Sequence, residues 1–135
     1  MTLCVVIGSR ADEGLWLWPL KCLREDGVFT VKTLTLKDMV AWEAVMEATD
    51  AWTVERPDWA LVLGDRFEIM GAAWAAHLLR IPLAHLCGGD VTEGSYDDAM
   101  RDCISRMAAI HFVTSESAQR RLQARGYSQV HLVGN

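Results

Sequence analysis

Short apolar runs alternate with helix-patterned stretches along the whole chain, and this alternation constrains its fold more than any other feature. Leu3-Cys4-Val5-Val6-Ile7 is a continuous apolar run closed by Gly8-Ser9, as in a buried parallel strand. Leu15 to Arg24 reads as a helix with Pro19 near its start, where a missing N–H is tolerated, and Asp26-Gly27 closes it. Phe29 to Leu36 alternates as a strand with one wetter face. Asp38 to Val54 sets Met39, Trp42, Val45, Met46 and Trp52 near one face at helical spacing. Arg56-Pro57-Asp58 breaks that helix, and Trp59 to Leu63 is the next strand. Phe67 to Arg80 is apolar on nearly every side, the pattern of an enclosed helix. Pro82 opens the strand Leu83 to Leu86, which runs into Gly88-Gly89. Tyr96 to Ala109 carries a stripe of Met100, Cys103, Ile104 and Met107. A strand (Ile110 to Val113), a helix (Ser115 to Arg125, stopped by Gly126) and a last strand (Val130 to Val133) follow.

About six strands joined by helices predict βαβ units and an α/β fold. With right-handed crossovers this is a Rossmann-like, doubly wound, mostly parallel sheet covered on both faces, one domain spanning 1–135. The size suits one core. A net charge of −5 disfavours nonspecific attraction to nucleic acid, which needs Lys and Arg to neutralise phosphates. Cys4, Cys22, Cys87 and Cys103 form no C-x-x-C pair, so no disulfide frame is expected. No apolar stretch reaches the length of a membrane span, and no signal peptide precedes the first strand; the expectation is a reduced, cytoplasmic protein.

In such sheets ligands bind beyond the carboxyl ends of the strands. Four ends carry polar residues: Gly8-Ser9-Arg10-Ala11-Asp12, Gly64-Asp65-Arg66-Phe67-Glu68, Gly88-Gly89-Asp90-Val91-Thr92-Glu93-Gly94, and Thr114-Ser115-Glu116. The fold gathers them on one rim. Each also has a plainer reading. Gly8-Ser9-Arg10 can be a tight turn with a capping serine, and it has neither the dinucleotide nor the phosphate-loop spacing. Asp65 suits the N-cap of the next helix. Asp97 and Arg101 have the spacing of a surface ion pair. His85, in an apolar strand, can be a core histidine that needs a partner. The Gly88–Gly94 loop, with two carboxylates, a threonine and three glycines, is harder to dismiss. No histidine pattern supports a transition metal, so no cofactor is expected beyond magnesium carried by a nucleotide's phosphates.

These segments, in order, resemble the UDP-N-acetylglucosamine 2-epimerases of the hydrolysing branch. Gly8-Ser9-Arg10-Ala11-Asp12-x-Gly14-Leu15, Leu63-Gly64-Asp65-Arg66-Phe67-Glu68, Ile81-Pro82-x-Ala84-His85, Gly88-Gly89-x-Val91-Thr92-Glu93-Gly94 and Asp97-Asp98-x-x-Arg101 carry the likeness. His111-Phe112-Val113-Thr114 and Val133-Gly134-Asn135 extend it. The resemblance implies one half of a two-domain, GT-B-like enzyme with its active site between the halves. Such enzymes eliminate UDP across C1–C2 of the sugar to a glycal; hydrolysing members then add water, releasing N-acetylmannosamine. Carried over by position, Asp65, Asp97 or Asp98, and Glu93 are the catalytic carboxylates. Ser9, Arg10, Arg66, His85, Gly88, Gly89, Asp90, Thr92, Arg101 and Ser115 are the substrate contacts. Some members have a glutamate where this chain has Cys87, and a thiol replaces a carboxylate poorly as an acid or base.

The resemblance ends near where the family crosses into its second domain, which supplies most of the nucleotide grip. The implied ligand is therefore a nucleotide sugar or nucleotide, with a homo-oligomer or a second chain completing the cleft. The alternatives are a binding protein without turnover and a remnant or interaction module. Neither nucleic acid nor a membrane is expected as a partner.

Overall fold

The computed structural model describes residues 1–134; Asn135, the last residue of the resemblance, lies outside them. Six strands form one all-parallel sheet: β1 (Thr2–Ile7), β2 (Thr30–Thr35), β3 (Trp59–Leu63), β4 (Leu83–Leu86), β5 (Ile110–Val113) and β6 (Val130–Leu132). Five helices connect them: α1 (Arg10–Glu25), α2 (Ala41–Val54), α3 (Phe67–Leu78), α4 (Asp97–Met107) and α5 (Glu116–Ala124). The order β2-β1-β3-β4-β5-β6 reverses between β1 and β3, the switch point of a doubly wound sheet.

The main core lies on one face. There Cys4, Val6, Ala60, Val62 and Leu83 of the sheet meet Ala44, Ala48 and Trp52 of α2, Ile69, Ala72, Ala73 and Ala76 of α3, and Ile104 of α4. Small side chains let α2 and α3 approach closely: a Cβ on Gly71 would stand 2.7 Å from the Ala41 carbonyl oxygen. Val113 packs with Ala118 and Leu122 of α5 on the same side. Among the described residues the opposite face holds only α1, whose Trp16 and Leu20 pack on Val5 and Ile7.

Five expectations are corrected. The sheet is covered fully on one face, whereas among the described residues the other is covered only near β1 and β2, by α1. Burial alternates residue by residue along β3 and β5: Ala60, Val62, His111 and Val113 face the helices of the main core, Leu61 meets only the edge of the α1 cluster, and Ile110 and Phe112 lie beyond it. Helix α1 starts at Arg10, so Pro19 falls in its middle rather than near its start. In α2 the buried stripe is Ala44-Ala48-Trp52; Trp42 and Met46 lie on the outer side, Trp42 being 67% exposed. Helix α3 is enclosed only in part, with Phe67, Trp74 and Leu78 exposed, and Cys103 of α4 faces outward beside the buried Ile104. Large apolar side chains led the reading of these helices, whereas alanines pack closest to the sheet.

Candidate functional site

The carboxyl ends of β1, β3, β4 and β5 meet as the topology requires, and one arginine ties three of the segments together. Arg101, in the second turn of α4, is only 8% exposed. Its Nη2 pairs with the Asp65 carboxylate from the β3–α3 turn. Its Nη1 donates to Asp98 Oδ1 at 2.7 Å and to the Asp90 carbonyl at 2.6 Å. Asp98 accepts in turn from the Thr92 N–H, at 3.1 and 3.2 Å to its two oxygens. Thr114, at the end of β5, donates to Asp90 at 3.3–3.4 Å. Loop, helix and strand ends are thereby fixed around one buried cation. Charge-assisted bonds of this kind hold orientation more firmly than neutral ones.

Asp65 is not a helix cap: Arg66 occupies the N-cap position of α3 and makes no side-chain cap bond. Nor is Arg101 half of a surface pair with Asp97. Its partner on α4 is Asp98, one turn back, while the Asp97 N–H is held by Ser95 Oγ at 3.1 Å. Arg66 lies exposed beside the group, held by the buried Glu68 at 3.1 and 3.3 Å; that carboxylate raises its pKa.

His85 is fully buried and both ring nitrogens are engaged. Nε2 lies 2.8 Å from the Gly64 carbonyl, which can only accept, so the neutral ring carries its proton there. Nδ1 then accepts from Ser105 Oγ at 2.9 Å. Burial outweighs the bond to the Gly64 carbonyl and lowers the pKa to about 4. Expected as a substrate contact, His85 instead anchors Gly64, whose φ of 83° turns the chain into Asp65. Glycines 88 and 89 also serve the protein's own packing. A Cβ on Gly88 would meet Ser105 Oγ at 2.9 Å, and one on Gly89 would meet the Ala118 carbonyl oxygen at 2.7 Å. Arg121 of α5 donates to the Gly89 carbonyl at 2.6 Å.

Of the other expected contacts, Ser9 caps α1 in a box with Asp12. The buried Asp12 carboxylate accepts from the Gly8 and Ser9 N–H groups at 2.9 Å each. Ser115 caps α5 through the Ala118 N–H. Arg10, Thr92 and Glu93 are exposed on the rim, and Glu93 is outside the Arg101 cluster. Cys87 stands next to it in the left-handed region (φ 64°). Burial, then the Asp90 and Asp65 charges, push its thiol pKa up against the pull of Arg101, so it is a neutral thiol at neutral pH. Among the described residues no group of three His, Cys, Asp or Glu side chains is placed to hold a metal ion.

The sequence reading missed Ser105, Arg121 and the role of Asp12. A serine beside the apolar stripe of α4, one turn after Arg101, is the signal that could have found the first. The resulting arrangement is two fixed carboxylates sharing a guanidinium on an open rim, with an exposed arginine and an exposed glutamate nearby. It can bind a polar, partly anionic ligand and move a proton at a carbon or oxygen held against Asp65 or Asp98.

Fold and site together define a Rossmann-like domain whose β3, β4 and β5 ends are tied by a buried arginine holding two carboxylates. The match to known proteins narrows this: the family model described as UDP-N-acetylglucosamine 2-epimerase covers residues 25–135, and the chain belongs to that family. It is 36% identical over 104 residues to the hydrolysing GDP/UDP-N,N'-diacetylbacillosamine 2-epimerase of Campylobacter jejuni, a match covering 77% of this chain and 25% of that protein. It is 43% identical over 74 residues to the hydrolysing UDP-N,N'-diacetylbacillosamine 2-epimerase of Legionella pneumophila, covering 55% and 19%. The UDP-GlcNAc 2-epimerase of Neisseria meningitidis, solved with UDP-GlcNAc bound, superimposes with a TM-score of 0.92 at 20% identity. That match covers 100% of this chain and 46% of the other. The chain thus spans a quarter or less of the curated relatives and just under half of the structural neighbour.

Proposed function

We propose that this domain is the sugar-side half of a hydrolysing nucleotide-sugar 2-epimerase. A carboxylate of the Asp65–Asp98 pair takes the C2 proton of the sugar while the C1–O bond breaks and UDP leaves with the electron pair, giving the glycal. Water then adds across C1=C2, with hydroxide to C1 and a proton to the opposite face of C2, giving the 2-epimer of the free sugar. Asp97 and Glu93 are the further acid–base candidates, and Arg10 and Arg66 approach the sugar or its phosphates. His85, Gly88, Gly89, Ser9 and Ser115 position the rim rather than touch the ligand. The observation that carries this reading is the buried Arg101 holding Asp65 and Asp98 at the strand ends. N-acetylglucosamine is the sugar first proposed; the names of the two curated relatives make a diacetylated bacillosamine the second substrate to try. A homo-oligomer or a second chain completes the nucleotide side. The reaction needs no cofactor, magnesium entering only with the phosphates, and the four unpaired cysteines agree with a cytoplasmic setting.

Cys87 favours a second reading, a nucleotide-sugar binding protein without turnover, because its neutral thiol is a poor general base. Proton NMR of the protein with each UDP-sugar, with and without EDTA, separates the two. Release of UDP with the 2-epimer, unchanged by EDTA and abolished in a folded Asp65→Asn variant, supports the enzyme. Saturation transfer without turnover supports the binding protein, and no signal with either sugar sinks both.

A further inference from the structure

We propose that Asp90 is the proton donor of the hydration half-reaction, delivering from its carboxylic acid form the proton that C2 of the sugar receives when water adds to the glycal. This rests on the reaction proposed above, whose two halves make opposite demands on a carboxyl group. Removing the C2 proton needs a group held as the anion; returning one needs a group that also exists as the neutral acid. The cluster divides its carboxyl groups along that line. Asp65 and Asp98 are both paired with the Arg101 guanidinium, and an adjacent cation favours the charged form. The other partner of Asp98, the Thr92 N–H, donates and has nothing to accept a carboxyl proton with.

Asp90 stands differently. It is half-buried, and among the described residues its carboxylate enters no ion pair. The cations beside it engage main-chain oxygens instead: Arg101 Nη1 donates to the Asp90 carbonyl and Arg121 Nε to the Gly89 carbonyl, each at 2.6 Å. Those bonds fix the backbone and leave the carboxyl group to the Thr114 hydroxyl, 3.3 and 3.4 Å from its two oxygens. A hydroxyl donates to a carboxylate and, rotated about its C–O bond, accepts from a carboxylic acid. Asp90 is thus the member of the Arg101 cluster whose partner suits both protonation states. It also shares a corner with Asp65: after burial, the Asp90 charge and then the Asp65 charge raise the pKa of the Cys87 thiol. Of the other acidic side chains, Glu93 is exposed outside the cluster, and Asp97 lies toward Arg66, whose pKa is raised first by Glu68 and further by the Asp97 charge. The step balances. Asp65 or Asp98 takes the C2 proton as UDP leaves, and loses it to water. Asp90, protonated from solvent, gives its proton to C2, the C1=C2 electron pair forming the new C–H bond. Water adds to the cation left at C1 and passes its spare proton to the Asp65–Asp98 pair.

The test follows UDP, glycal and free sugar separately by proton NMR. Asp90→Asn keeps the size of the side chain and a partner for Thr114, and circular dichroism checks its fold. It should release UDP within about tenfold of the native rate yet accumulate the glycal, forming the free 2-epimer about 10²–10⁴-fold more slowly, the usual contribution of a general acid. Asp65→Asn, by contrast, should stop UDP release itself. Native amounts of the 2-epimer from Asp90→Asn, with no glycal, overturn the proposal. So does glycal accumulation in Cys87→Ala instead, which would make the thiol the donor. A second measurement needs no substrate: peptide-mapped alkylation across pH should show Cys87 of Asp90→Asn reacting at lower pH than in the native chain. An unchanged profile would turn the Asp90 carboxylate away from the Asp65 corner and likewise overturn the assignment. A native chain that releases no UDP refutes the reaction and the part of Asp90 in it, an outcome distinct from those in which the native chain turns over.

Discussion

Replacing Arg101 with methionine tests whether the rim is held by one buried cation. Methionine keeps the stem's packing and removes the charge. Removing one partner of a buried ion pair leaves the other uncompensated, at about 3–5 kcal/mol. Two features reduce this figure. The Asp65 and Asp98 side chains keep 20% and 28% of their exposure, so water takes up part of the lost interaction. The Arg101 Nε is itself buried without an acceptor, and deleting it relieves about 1 kcal/mol or more. The expected net loss is about 2–3 kcal/mol. At roughly 2.1 cal/mol/K per residue over 135 residues, that lowers Tm by about 7–11 °C. Urea unfolding followed by circular dichroism measures it, and a cycle with Asp65→Asn assigns it. The double variant should be less destabilised than the sum of the singles by about 1–3 kcal/mol. A loss below about 1 kcal/mol with additive singles would mean that the cluster behaves as a surface ion pair, and the rim would then need another organiser.

Two further outcomes follow from the same region. His85 titrates at about 4 in the folded protein against about 6.5 in the unfolded chain, so between those values the unfolded state binds more protons. The stability it secures is complete above pH 6.5 and falls as pH drops toward 4, by roughly 3 kcal/mol in all. His85→Gln should flatten that limb of the pH–stability curve; an unchanged limb would show that His85 is not its source. Gly89→Ala combines a φ of 76° with a Cβ 2.7 Å from a backbone carbonyl, whereas Gly94→Ala has φ 77° and open space. The first should lose about 2–4 kcal/mol in urea unfolding and the second about 1, so equal losses would refute the packing account.

Much of the fold was legible because strand runs and turn glycines are local signals. Leu3–Ile7, Trp59–Leu63 and Leu83–Leu86 each became a strand, and the strand ends carrying Asp65 and Asp90 converged as parallel topology demands. The partner of Arg101 was not legible. Spacing of four pointed to Asp97, but the choice of Asp98 depends on where the Thr92 N–H and the Asp90 carbonyl lie, and those come from a loop eleven residues upstream of Arg101. His85 was ambiguous for a related reason. A histidine in an apolar strand must find partners, yet only the fold reveals that Ser105 and Gly64 supply them and leave nothing for a ligand.

The open sheet face shows where local reading stops. Apolar residues on both sides of β3 and β5 say that both faces must be covered, and within one chain that implies helices on each side. Which helix lies on which face is set by strand order. Among the described residues only the β1–β2 crossover moves opposite to the rest, so of their helices α1 alone lands on the second face. Among the described residues, the apolar outer faces of β3 and β5 therefore stay without a helix, and Leu61, Ile110 and Phe112 line an open groove there instead.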